Sequence, residues 1–387
     1  MKKFRSFAFI TLALALSACS GGDDDGGTTH SRTDLDDHET TAQIDSNYEY
    51  KLPIIFHVLY KDASDPSQYI AYSRIKEILA NVNELYQGGV YGESHDMGLT
   101  FVLATEDEKG NTLEHPGVVY TKYDGDYPID PYDFMGDETG KNVKYIWDPN
   151  TYINVMLYNF AKTDDDGSTT LGISHMPYVT KSDTALAGLA QVSQVSLTKR
   201  NLRYAHCSSI NSLYASRNFE STRYSYYGNT DSYTYKSTDI STTLAHELGH
   251  YLGLHHVFTE RMTDGSTEVV DSCGDTDFCD DTPSYNFKDY QNYITELTKQ
   301  LAQQGNQTLN MSDVNWRADC DGARFTATNF MDYSICLSYQ FTRDQWKRVR
   351  WVLYYCPLIP GPKLNGSKPD TRGYDDRPVY LPMRIVK

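Results

Sequence analysis

Along the first half of the chain the apolar positions switch between two periods. "YKLPIIFHVLY" (50–60) is a compact run of strand-type residues around a proline and predicts the first strand of the ordered part. In "SRIKEILANVNELYQ" (73–87), Ile75, Ile78, Leu79, Val82 and Leu85 recur at helical spacing and predict an amphipathic helix. "MGLTFVLAT" (97–105) and "YINVMLYNF" (152–160) read as further strands, and "LGISHMPY" (171–178) as a short edge strand closed by Pro177. Strand, helix and strand in this succession predict an α+β fold, a mixed sheet with helices packed against it.

The pattern then loosens. Residues 180–240 show no sustained period, and "RYSYYGNTDSYTYK" (223–236), with five tyrosines, reads as an exposed strand pair or a substrate-facing aromatic rim. Helical spacing returns in "YQNYITELTKQLAQQ" (290–304) and "TRDQWKRVRWVLYY" (342–355). The tail 357–387, with frequent Pro, Gly and charge, is expected to lie extended on the surface, and no internal repeat is visible.

A formal charge of -17 argues against nucleic acid as a partner, because phosphate binding needs clustered Lys and Arg. The start, "MKKFRSFAFITLALALSACS", has three cations and an apolar run too short to span a bilayer, the pattern of an export signal over 1–18. Its "LSAC" end resembles the lipobox of bacterial lipoproteins, which makes Cys19 the lipidation site and an outer-membrane, surface-exposed lipoprotein the expected product. Residues 19–48, rich in Gly, Asp, Thr and Ser, form a flexible acidic tether in this reading. The six remaining cysteines, in an exported chain, suggest disulfides, with 15 possible connectivities.

Candidate chemistry concentrates in "TTLAHELGHYLGLHHVF" (242–258), which holds four of the eleven histidines. On a helix His246 and His250 stack at i and i+4, and Glu247 stands beside them without displacing them. Gly253 accepts positive φ and lets the chain turn back, so that His256 supplies a third nitrogen. Three imidazoles leave one position of a tetrahedral zinc ion open for water, the arrangement of a catalytic site. Glu247 is then the general base, while His255 misses the spacing by one and should point elsewhere.

H-E-x-x-H-x-x-G-x-x-H resembles the signature of the metzincin zinc metalloproteases. "TNFMDYS" (328–334) is similar to their methionine turn, with Met331 beneath the metal, and Tyr333 resembles the tyrosine that can stabilise the tetrahedral intermediate. Together with "CGDTDFCDDTPSY" and "NFMDYSICLSYQFTRDQ" these segments most resemble the pappalysin branch, including zinc-dependent metalloproteinase lipoproteins of Bacteroidetes. The resemblance implies an upper catalytic subdomain (49–256) with a mixed twisted sheet and the zinc helix. Below it would lie an irregular, partly helical lower subdomain (257–356), and a cleft that takes an extended protein or peptide substrate along the edge strand. It also implies calcium near the Asp-rich loop, where Asp275, Asp277, Asp280 and Asp281 are either ligands or merely exposed acids.

The resemblance has limits: Cys279 inside that loop and Cys336 close behind Tyr333 depart from the family pattern, so no disulfide pairing carries over. No cysteine switch is expected, because the one early cysteine is committed to lipid. The expected activity is zinc-dependent endoproteolysis. A non-catalytic zinc-binding surface module on the same scaffold is the alternative. Substrate identity and oligomeric state do not follow from the sequence.

Overall fold

The computed structural model describes residues 47–386 apart from 90–91, 162–169, 181–185, 193–196, 217–239, 264, 306–310, 334, 365–377 and 380. The signal, the tether as far as residue 46, Cys19 and the tyrosine-rich stretch 223–236 therefore lie outside the described residues, while Tyr48, at the expected end of the tether, packs against the core. In chain order the elements begin β1 (Tyr50–Tyr60), α1 (Tyr72–Gln87), β2 (Leu99–Leu103), β3 (Val118–Lys122) and α2 (Pro131–Gly136). They continue β4 (Ile153–Tyr158), β5 (Gly172–His175), β6 (Tyr178–Val179), β7 (Ala190–Gln191), β8 (Ser208–Asn211) and α3 (Ile240–Tyr251). After the histidine cluster come β9 (Glu260–Met262), β10 (Thr267–Val269), α4 (Phe287–Gln303), α5 (Met311–Val314), β11 (Trp316–Ala318), β12 (Arg324–Thr326), α6 (Arg343–Tyr355) and β13 (Ile385–Val386). Among the described residues no helix is long and apolar enough to cross a membrane.

The main sheet runs β13-β5-β8-β4-β1-β2, with β3 also paired to β1. The pairings of β1 with β2, β3 and β4, and of β4 with β8, are parallel; β5 on β8 and β13 on β5 are antiparallel. The sheet is thus mixed, as the pattern of strands and helices predicts. β1 is central and covered on both faces, which is why its sequence is a continuous apolar run rather than an alternation. Leu52, Ile54, Phe56 and Val58 face one core, with α1, α3 and α6, while Leu59 joins Met156 and Tyr158 of β4 in a second core on the other face.

Two expectations are corrected. The segment 171–178 is not the outermost strand, because β13 pairs with it at Ser174 and His175. Nor do the described parts of the tail all lie on the surface: Leu358, Ile359, Val379, Leu381, Ile385 and Val386 are buried, and all but Val386 join the two cores. β8 escaped the period reading because "SSIN" is mostly polar. Its hydroxyls are satisfied across the sheet, Ser208 with Ser174 at 2.7 Å and Ser209 with Tyr158 at 3.1 Å.

Past α3 the chain packs through short hairpins and a disulfide, Cys273–Cys320, which closes a separation of 47 residues. In a chain-entropy account such a loop is worth about 4 kcal/mol, useful where the local core is small. The even cysteine count does not become three bridges: Cys207, Cys279, Cys336 and Cys356 are free and buried.

Two sheet histidines give the fold a pH response. His57 Nε2 on β1 donates to Asn154 Oδ1 at 2.9 Å, and His175 on β5 lies against the Cys207 backbone. Burial pushes both imidazoles down to about 4. The unfolded chain protonates these rings near pH ~6.5 and the folded protein only near pH 4, so in that window the unfolded state binds more protons. Stability is therefore expected to be full above pH ~6.5 and to fall as pH drops towards 4, by on the order of 3 kcal/mol per ring. Urea unfolding midpoints measured across that range check this, and His175→Phe should give a shallower decline.

Candidate metal centre

The centre starts from one helix. α3 is buried on every side, with Leu244, Ala245, Leu248 and Tyr251 in the core, as expected of a helix apolar around most of its circumference. His246 and His250 project from the remaining stripe. The helix ends in a Schellman turn: Gly253 has φ +91, its N–H bonds to His250 O at 2.9 Å, and the Leu254 N–H bonds to Gly249 O at 2.9 Å. Glycine is required there twice over, because a Cβ would also meet Val352 Cγ2 at 2.7 Å. From α6, Arg348 Nε donates to Gly253 O at 2.6 Å and fixes the reversal. The chain then returns His256 to the other two rings.

The three Nε2 atoms converge, 2.9 Å between His246 and His250, 3.1 Å between His250 and His256, and 3.3 Å between His246 and His256. Every opposite nitrogen faces a pure acceptor: His246 Nδ1 the Phe330 carbonyl at 2.7 Å, His250 Nδ1 the Leu254 carbonyl at 2.8 Å, and His256 Nδ1 the Glu260 carboxylate at 2.9 Å. Each Nδ1 therefore carries the hydrogen, and each Nε2 presents a lone pair inward. Three lone pairs at that separation repel one another, and a cation between them removes the conflict. Burial, and then the His256 ring, pushes His246 down to about 3, and His250 falls well below the ordinary range for the same reasons, so both stay neutral ligands. Among the described residues this is the only group of three His, Cys, Asp or Glu whose donor atoms come together.

Glu260 and the methionine turn build the surround. Burial works against the Glu260 carboxylate, but the His256 and His255 rings more than offset it and hold it ionised, well below the usual range. His255 points away from the triad, as its spacing predicts; its ring packs against Phe278, and its Nδ1 is 3.5 Å from the second Glu260 oxygen. Met331 lies under α3, where a Cβ on Gly249 would stand 2.5 Å from its sulfur. Asn329 accepts from the Met331 N–H at 2.9 Å and is gripped by Gln345, the residue that closes the capping box of α6 with Thr342. Arg317, fully buried, reaches Asp332 at 3.4 Å and the carbonyls of Tyr333 and Ile335 at 3.3 and 3.0 Å. The Tyr333 ring stands edge-on to His256, with centroids 4.6 Å apart.

Glu247 is 2 % exposed, and its Oε2 has no hydrogen-bond partner among the described residues. Burial pushes its carboxyl well above the usual range. Gly172 of β5 leaves it room, since a Cβ there would stand 2.6 Å from its Cγ and Oε1. Glu247, His246, Gly172 and Tyr333 line a cleft of about 640 Å³.

His246, Glu247, His250, His256, Met331 and Tyr333 thus come together. The Asp-rich loop does not join them or form a centre of its own. Asp275 accepts from the Phe278 N–H, Asp277 from Cys279 and Thr282, and Asp281 from the Asp344 N–H, while Asp280 is exposed; these carboxylates are spent on holding the loop. The sequence reading missed Glu260, Arg317, Asp332 and Gly172. Only Glu260 carried a local signal, a carboxylate four residues past the third histidine. Glu260→Gln is expected to weaken zinc retention about 10- to 100-fold with little change in fold, measured by competition with a chromogenic chelator.

Residues 213–354 match the peptidase family model described as pregnancy-associated plasma protein-A. Among solved structures, Tannerella forsythia mature mirolysin in complex with a cleaved peptide is 18% identical, with 78% of this chain and 90% of that chain covered and a TM-score of 0.44. Mirolysin in complex with compound 9 is also 18% identical, covering 78% of this chain and 91% of that chain at a TM-score of 0.45. No curated protein matches in sequence. The family match takes in the helix of His246 and His250, the returning His256 and the methionine turn, so over residues 213–354 this chain is similar to that peptidase family, with three histidines placed to hold a metal ion.

Proposed function

We propose that the protein is a surface-anchored zinc endopeptidase in which Glu247 acts as general base and Tyr333 as hydrogen-bond donor to the developing oxyanion. The observation that carries this is the Glu247 carboxylate: buried, unpartnered at Oε2, and lining the same cleft as His246. His246, His250 and His256 would hold the zinc, which supplies Lewis acidity for the scissile carbonyl and lowers the pKa of water towards about 7. Glu247, with its proton affinity raised by burial, takes the proton of the attacking water and hands it to the departing amine. Tyr333, placed by Arg317 through its main-chain oxygen and by the His256 ring, faces the same cleft. Gly172, with Thr170 and Leu171 before it, walls the cleft, and an extended peptide would run from there along the edge of β5.

Glu247→Gln is expected to lower casein or peptide hydrolysis by at least about a hundredfold while one zinc per chain is retained. Tyr333→Phe should lower kcat by roughly a hundredfold with little effect on KM. Equal cleavage by wild type and Glu247→Gln would end the proposed mechanism, and no cleavage by either would favour a non-catalytic binding module. Anchoring rests on the lipobox-like "LSAC" and the acidic stretch behind it. Cys19→Ser protein should fail to incorporate radiolabelled fatty acid and should leave the membrane fraction.

A further inference from the structure

The outward side of β5, the wall just assigned to substrate, is already partly taken by the chain itself. Val386 stands opposite Ser174 and Ile385 opposite His175 in an antiparallel pair, and the Met176 N–H bonds to Arg384 O at 3.1 Å. The other edge of the segment is held as well. The Ile385 N–H donates to Gly265 O at 3.0 Å, and Ser266 Oγ donates to Ile385 O at 2.6 Å. Ser266 and its neighbour Thr267 line the cleft together with His246 and Glu247.

A strand clasped by a sheet edge above and a turn below is the situation of a bound peptide in strand addition. Its direction fits too: from Ile385 to Val386 the chain runs past His175 towards Gly172, the glycine that abuts Glu247. We propose that Leu381–Val386 is an intramolecular occupant of the peptide-binding edge, and that a substrate must displace it to lie along β5. This rests on the endopeptidase reading above.

The hold is modest. It consists of main-chain hydrogen bonds over a short register and the buried side chains of Leu381, Ile385 and Val386, while Pro382 is exposed. That is the kind of contact an incoming peptide itself offers, so the exchange is close to balanced and a peptide can compete. The occupant also indicates what the edge accepts: an extended segment with β-branched aliphatic residues opposite Ser174 and His175.

The test compares the full chain with a chain lacking residues 381–387 and with Ile385→Pro, which withholds the hydrogen bond to Gly265 and the buried isoleucine side chain. Thermal unfolding verifies that each remains folded. If the strand is docked in about nine molecules of ten, KM for a quenched fluorescent peptide falls about tenfold in both variants with kcat little changed. Added synthetic peptide LPMRIVK should restore the full-chain KM to the truncated protein. In a Glu247→Gln background, where no hydrolysis is needed, the Met176 amide should exchange faster on truncation and slow again with the peptide. Unchanged KM in folded, cleaving variants overturns the inference. So does a Met176 amide indifferent to truncation in protein that cleaves nothing. A responsive Met176 amide in protein that cleaves nothing leaves the occupied edge standing and removes the endopeptidase reading instead.

Discussion

Three imidazole nitrogens held within 3.3 Å of one another, each with its lone pair turned inward, are a conflict that only a cation resolves. Much of the structure exists to impose that conflict. A Schellman turn at Gly253 brings the third ring back, and Arg348 from a distant helix clamps the turn. Three acceptors from three different segments, Phe330 O, Leu254 O and Glu260, fix every tautomer. The stability given up in assembling neutral histidines in a dry site is recovered when the metal binds, so metal affinity and folding are two expressions of one balance.

The same logic extends outwards. Met331 can sit beneath α3 only because residue 249 is glycine, and the turn that carries it is tied to α6 through Asn329 and Gln345. Arg317 anchors the far side of that turn through Asp332 and two carbonyls. A buried guanidinium is costly unless paired, and here its ion pair with Asp332 and its bonds to the Tyr333 and Ile335 carbonyls tie down the segment that carries Tyr333. The cleft thus lies between a sheet edge made accommodating by Gly172 and a loop-rich wall stiffened by buried charge and one disulfide.

Some features were legible because they depend on neighbours in sequence. α1, α4 and α6 carry a helical period of apolar residues, and each begins or ends within about three residues of the expected limits. β1, β2 and β4 are apolar runs of strand-forming residues. The three converging histidines belong here as well, since an i, i+4 pair and a helix-ending glycine are local facts. Others were not. β8 is polar, and its burial is affordable only through hydroxyls on β4 and β5. The aspartates at 275–281 suggested an ion site, yet Asp275, Asp277 and Asp281 turn to backbone N–H groups or a hydroxyl, and Asp280 is exposed.

The amino-acid sequence by itself therefore determined the convergence of three histidines and the carboxylate beside them, because helical geometry over eleven residues is enough to aim two imidazoles and return a third. What only the tertiary structure decided is everything held by long-range pairing. That includes the carboxylate behind His256, the arginine under the methionine turn, the cysteines that bond and those that do not, and the strand from the end of the chain that lies along β5. Pairing at such separations depends on which surfaces the rest of the fold leaves uncovered, and no local period in the sequence records that.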